Sequence, residues 1–185
     1  MLGSSGAGKS TIGKIVLGLL APHAGTVRIN GVDVYGGRRA MKELRSQVQA
    51  VFQDCFSSFN FKMTAGQIIG EPIDNFQKMG RKEKQATIEE LLEMIGLSAS
   101  DINKFPREFS GGQLQRICIA RAIAVKPRLI VLDESVSSLD AVNQVNIIRL
   151  LRFLKDRFGM SYLFITHNLK AAFALGDQFI VLDKG

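Results

Sequence analysis

The stretch Gly3-Ser-Ser-Gly-Ala-Gly-Lys-Ser10 constrains this chain more than any other, because it matches GxxxxGK[ST] in full and a helical pattern follows at once. Gly3, Gly6 and Gly8, interleaved with Ser4, Ser5 and Ala7, free the backbone to turn its N–H groups towards phosphate oxygens. Lys9 adds a cation for the β- and γ-phosphates, and Ser10 a hydroxyl for Mg²⁺. Ile12, Ile15, Val16, Leu19 and Leu20 then recur at helical spacing, predicting an amphipathic helix that runs from Lys9 past Leu19. A phosphate loop of this kind sits between a strand and a helix, which points to an α/β fold built on a mostly parallel sheet.

The stretch Phe109–Asp140 carries the second set of signals. Ser110-Gly111-Gly112 is expected to turn tightly and open a helix whose first N–H groups, with Gln113 beside them, form an anion site. Lys126-Pro127 ends that helix. Leu129–Leu132 is a continuous apolar run, as in a strand covered on both faces, and it delivers Asp133 and Glu134 to its carboxyl end, where ligands of open α/β sheets gather. In the same way Val48–Phe52 delivers Gln53, and Ser161–Thr166 delivers His167. Either residue alone would be an ordinary polar loop residue.

The remaining chain reads as scaffold. Thr26–Asn30 and Val32–Val34 flank an Asn-Gly turn and predict a hairpin. Arg39–Gln47 reads as a short basic helix, and Thr64–Phe76 and Lys82–Ile95 as helices of an insertion, the second capped by Gly96-Leu97. Phe56, Phe59 and Phe61 belong either to the core or to a partner-docking patch. Val142, Val145, Ile148, Leu151 and Leu154 stripe a long helix that Gly159 stops, and Gln178–Leu182 reads as a last strand.

With 185 residues and 46% apolar content the chain suits one good core. No apolar run approaches the ~20 residues needed to cross a bilayer, and no signal-peptide pattern is present, which places the chain in the cytoplasm. Cys55 and Cys118 lack metal-ligand spacing and are expected to be buried fillers without a disulfide. The net charge of +7 is dispersed, with small clusters at Arg38-Arg39 and Arg81-Lys82-Lys84 that suit solvated faces better than nucleic acid. His23 lies in a turn and reads as a surface residue.

Gly3–Thr11, Gln53, Phe109-Ser-Gly-Gly-Gln113, Leu129–Glu134, Ser138-Leu-Asp140 and Thr166-His167 stand in the order and spacing of the ATP-binding subunits of ABC transporters, and the chain resembles that family over essentially its whole length. Val51–Asp54, Ser57-Ser58 and SGGQLQRICIARAIAVKP resemble the oligopeptide/nickel importer branch, most of all its nickel or opine-metallophore members. The resemblance implies ATP and Mg²⁺ as cofactors. It implies that residues 3–11 hold the triphosphate, with Thr11 at the α-phosphate and Ser10, Gln53 and Asp133 around Mg²⁺. Glu134 would polarise the attacking water and His167 hold the γ-phosphate. Ser110, Gly111, Gly112 and Gln113 would complete the site of a second subunit in a head-to-tail dimer, and Asp140 would link the two sites. Further implied partners are integral-membrane permease subunits and, indirectly, an extracellular substrate-binding protein, with no nucleic acid. The subunit would sit at the cytoplasmic face of the membrane.

The same resemblance divides the chain into a catalytic core, 1–61 and 128–185, and a helical signature subdomain, 62–127. It also implies that an N-terminal β-subdomain bearing an adenine-stacking aromatic, and C-terminal strands, are truncated here. Phe109 replaces the family's usual leucine, Cys55 and Phe61 stand at usual prolines, Asn168 at a common aspartate and Ser138 at a common alanine or asparagine. A nucleic-acid ATPase of the same superfamily is the competing class. It would be expected to insert a coiled coil or zinc module between Gln53 and Ser110, where only a compact helical segment stands. A nucleotide-binding fragment without turnover is the third reading.

Overall fold

The computed structural model describes residues 1–183 except Ser5 and Ser138; Lys184 and Gly185, and the side chains of Arg38, Arg39, Ala40, Glu43, Cys55 and Ser58, also lie outside the described residues. The chain divides into two compact units, Met1–Gln53 with Arg128–Gly185, and Asp54–Pro127.

The first unit is α/β. A short strand β1 (Leu2–Gly3) leads into the loop and helix α1 (Lys9–Val16). This helix is shorter than its apolar pattern suggests. Gly18 adopts φ 69, and Leu19 and Leu20 beyond it are exposed. The hairpin forms as the Asn-Gly turn requires: β2 (Arg28–Ile29) and β3 (Val32–Asp33) pair antiparallel, with Asn30 at φ 51 and Gly31 at φ 80. Helix α2 (Arg38–Gln47) then leads into β4 (Val48–Phe52), and Val34, Leu44 and Val48 share a small core.

Strands β4, β5 (Leu129–Asp133) and β6 (Ser161–Ile165) form a parallel three-stranded sheet in that order. Ile130, Val131 and Leu132 are all buried, consistent with a strand covered on both faces. Helix α1 lies against this sheet so closely that a Cβ on Gly13 would come within 2.9 Å of the Ile165 side chain. Helix α6 (Ala141–Phe158) is N-capped by Asp140 and stopped by Gly159 at φ 64. Its buried stripe is Ile147, Ile148, Leu150, Leu151 and Leu154. Val142 and Val145, expected in that stripe, are exposed: burial along the helix begins only at Ile147. Helix α7 (Leu169–Leu175), which the sequence reading does not include, follows β6. The last strand, β7 (Val181–Leu182), is shorter than expected and pairs parallel with β1.

The second unit is helical. Helix α3 (Ala65–Phe76) starts at a capping box made by Thr64 and Gln67. Helix α4 (Arg81–Met94) ends as predicted, with Gly96 at φ 77 and the Leu97 N–H returning to the Leu92 carbonyl. Helix α5 (Gly111–Ile123) completes the unit, tied to α3 by the Arg121–Glu71 ion pair at 2.7 Å. Of the loop aromatics, Phe59 is core, Phe56 half-buried and Phe61 exposed, so the two readings divide among them. Cys118 is buried as expected, but it is disulfide-bonded and not a free filler. Spacing along a sequence carries no information on the Cα separation that permits such a bond. The Cys55 side chain lies outside the described residues.

Gly66 is fixed by close approach. A Cβ there would lie 2.5 Å from Ile102 Cγ1 and 2.9 Å from the Ile102 carbonyl oxygen. Gly66→Ala is therefore expected to destabilise the helical unit by about 1–3 kcal/mol through overpacking, measured by urea denaturation.

Candidate nucleotide site

Three parallel strands end together. The register sets Phe52 beside Asp133 and Asp133 beside Ile165, so the residues that follow, Gln53, Glu134 and Thr166-His167, leave the sheet at one edge. The loop from β1 to α1 reaches the same edge. Gly6 at φ 82 and Gly8 at φ 87 provide its left-handed turns, and the Ala7 N–H closes on the Ser4 carbonyl at 3.3 Å. Gly6, Gly8, Lys9, Ser10, Thr11, Gln53, Glu134 and His167 line a cavity of ≈ 450 Å³. Ser5 lies outside the described residues.

Lys9 is only 7% exposed, and its ammonium donates to the carbonyls of Gly3 at 2.9 Å and Ser4 at 2.7 Å. A buried cation held by neutral acceptors alone favours an arriving anion strongly. The Ser10 hydroxyl donates to Asp133 Oδ1 at 3.0 Å. Burial pushes the Asp133 carboxyl up, the Ser10 hydrogen bond opposes that shift, and the neighbouring Glu134 charge adds to it. A hydroxyl and a carboxylate in contact, with the Gln53 amide lining the same cavity, form an all-oxygen set that fits a hard dication such as Mg²⁺.

Glu134 is a non-glycine residue at φ 50. Its N–H donates to the Ile165 carbonyl at 3.0 Å, and its own carbonyl accepts the Ser137 hydroxyl at 2.7 Å and the Ser137 N–H at 3.1 Å. Ser137 escapes the sequence reading because no spacing rule marks a residue that acts on a backbone carbonyl. The Glu134 carboxylate accepts from His167 Nδ1 at 3.0 Å through Oε1, while Oε2 is buried without a hydrogen-bond partner. That orphaned acceptor belongs to a residue lining the same cavity as Lys9, Ser10, Thr11, Gln53 and His167. It lacks the donor that a buried acceptor ordinarily has.

The structure brings together residues 3–11, apart from Ser5, with Gln53, Asp133, Glu134 and His167. Ser110–Gln113 lie instead at the start of α5 in the helical unit. Gly111 and Gly112 are not the tight turn expected: neither has a left-handed backbone, and the helix begins at Gly111. Ser110 caps the helix in a capping box: its N–H donates to Gln113 Oε1 at 2.8 Å while its Oγ accepts the Gln113 N–H at 3.3 Å. A Cβ on Gly111 would meet nothing within 4 Å, so packing within the chain does not require glycine there. Asp140 is held as the cap of α6 by Asn143, whose backbone N–H and side-chain amide lower its carboxyl below the usual range. Ser138 of the Ser138-Leu-Asp140 motif lies outside the described residues.

A glycine-rich loop with a buried lysine, a serine–aspartate pair and a strand-end glutamate, on a sheet interrupted by a helical unit between β4 and β5, defines a P-loop nucleotide-binding domain. The chain belongs to the ABC transporter family, whose profile matches residues 1–137. It is 44% identical over 187 residues to the "Putative peptide import ATP-binding protein" of Brucella abortus (strain 2308), covering all of this chain and 56% of that one. It is 44% identical over 186 residues to the nickel import ATP-binding protein NikE of Rhodospirillum rubrum, covering 100% and 67%. The chain thus spans about half to two thirds of the length of these curated relatives. Among solved structures, the ATP-binding cassette MJ0796, in a dimeric post-hydrolysis state bound to ADP and Pi, superposes with a TM-score of 0.85 at 30% identity, covering 100% of this chain and 80% of that one. The cbiO1 protein of Clostridium perfringens superposes with a TM-score of 0.89 at 24% identity, over 100% and 72% of the two chains, a likeness of fold.

A carboxyl whose folded-state pKa is raised stabilises the fold only while protonated. That contribution is complete below the ordinary carboxylate value and is lost as pH rises through the folded value. Asp133→Asn is therefore expected to be more stable than the wild type at neutral pH, the difference closing at acid pH. Urea denaturation at the two pH values measures it.

Proposed function

We propose that the chain is the catalytic portion of an ATP-hydrolysing subunit that powers an ABC-type importer. The orphaned Oε2 of Glu134, a residue that contacts His167 through Oε1 and lines the same cavity as Lys9, carries this reading. The backbone N–H groups of residues 3–11 and the Lys9 ammonium hold the triphosphate, and Thr11 contacts the α-phosphate. Ser10, Asp133 and Gln53 hold Mg²⁺, which when bound neutralises phosphate charge. Glu134 Oε2 accepts a hydrogen bond from a water and aims its lone pair at the γ-phosphorus, while His167 stands at the γ-phosphate.

Ser110, Gly111, Gly112 and Gln113 serve the nucleotide of a second ATP-binding subunit placed head to tail, with Asp140 linking the two sites. The open space around Gly111 is consistent with such close approach by another group. Nucleotide-driven closure of the pair moves integral-membrane permease subunits at the cytoplasmic face, and an extracellular binding protein delivers the cargo. The names of the relatives support peptides, nickel or metal–metallophore complexes as cargo. Among the described residues no helix is long and apolar enough to cross a membrane, which suits a subunit that leaves the crossing to partners. The residue division proposed for these tasks is 1–61 with 128–185 for catalysis and 62–127 for the signature helices.

Glu134→Gln in the full-length protein is expected to bind ATP with affinity close to wild type while kcat falls about 100-fold or more, since the amide can no longer accept the water's proton. Phosphate release measured with the membrane partner present reads this. Undiminished turnover in the variant would remove Glu134 from the mechanism.

A further inference from the structure

Two side-chain amides outside the cavity join the loop that carries Glu134 to the loop that carries His167. Asn168 caps α7, its Oδ1 accepting the Ala171 N–H at 3.1 Å, while its own N–H donates to the buried Thr166 hydroxyl at 3.0 Å. Its Nδ2 donates to Gln144 Oε1, in the first turn of α6, at 3.4 Å. Gln144 Nε2 in turn donates to the carbonyl of Val136 at 3.3 Å. Val136 is fully buried and belongs to the turn that Glu134 opens and Ser137 closes.

The direction of this relay is set from both ends by the backbone. Asn168 must present oxygen to the Ala171 N–H, which leaves its amide nitrogen for Gln144. Gln144 must then offer oxygen to Asn168 and nitrogen to the Val136 carbonyl. Neither amide can be reversed without setting two donors or two acceptors face to face. Past the last ladder pair, Asp133 beside Ile165, the Glu134 N–H still donates to the Ile165 carbonyl at 3.0 Å, and the relay adds a side-chain tie between the two loops. Glu134 there is in an unfavourable left-handed conformation, which persists only where surrounding contacts enforce it.

We propose that Gln144 and Asn168 are a positioning pair for the hydrolytic reaction, holding the Glu134 carboxylate and the His167 imidazole at their 3.0 Å contact. Neither touches the reacting atoms. The proposal rests on the hydrolytic reading above for its catalytic consequence, and on the hydrogen bonds alone for its structural one.

Asn168→Ser separates the two roles of that residue. Serine caps a helix as well as asparagine does, so α7 is preserved, but its hydroxyl is too short to reach Gln144. Gln144→Leu removes the same link from the other side.

In the full-length protein each single variant is expected to lower kcat about tenfold, with KM for ATP and the melting temperature near wild type. The double variant is expected to be no slower than the slower single, because both break one relay. The ¹⁵N resonances of the His167 ring are expected to shift in Asn168→Ser as the contact with Glu134 loosens. Multiplying effects in the double variant, a change in KM with kcat intact, or an unshifted His167 ring would each overturn the proposal. If neither wild type nor Glu134→Gln turns over ATP, the hydrolytic reading fails by itself. The His167 ring signal then decides the pair: shifted, it supports the relay; unshifted, it overturns it.

Discussion

The parallel ladder of β4, β5 and β6 is the constraint on which the rest of the site depends. Its register places Phe52, Asp133 and Ile165 side by side, and every strand-end group of the cavity takes its position from that alignment. Because strand side chains alternate between faces, a slip of one residue would carry Asp133 away from Ser10 and reverse the faces of Ile130, Val131 and Leu132. The apolar burial of β5 and the placement of its terminal carboxylates are thus one choice.

Polar groups are costly where that ladder ends, and the structure answers each cost locally. The buried Lys9 ammonium rests on two loop carbonyls, Asp133 takes the Ser10 hydroxyl, and Glu134 is held by Ile165, Ser137 and His167. Among the described residues of the cavity, Glu134 Oε2 has no hydrogen-bond partner and Lys9 has no carboxylate of its own. An acceptor without a donor and a cation without an anion, on residues lining one cavity, are complementary to a water and a polyphosphate.

Much of this was legible in the residues. The phosphate loop, the strand ends at Gln53, Asp133 and His167, and the Asn30-Gly31 hairpin rest on local rules of backbone freedom and side-chain period, and those rules operate within a few residues. The failures came where tertiary context decides. The apolar pattern past Val16 did not reveal that Gly18 ends α1, nor did the period of α6 reveal where its cover stops, leaving Val142 and Val145 exposed. Ser110-Gly111-Gly112 suggested a tight glycine turn, where Gly111 already begins a helix capped by Ser110. Helix α7 was missed because seven residues carry too little periodicity, and Gln144 because its partners, Val136 and Asn168, are distant in sequence and one of them is a backbone carbonyl.

Calorimetric titration of Mg²⁺-ATP into the full-length protein, wild type against Lys9→Ala, tests most directly whether this cavity is the nucleotide site. Expected is saturable binding in the wild type that weakens at least about tenfold in the variant, since a charge-assisted contact to the phosphates is lost. Equal affinity in the two proteins would mean that the nucleotide binds elsewhere, and would contradict the assignment of Lys9 and of the strand ends that converge on it.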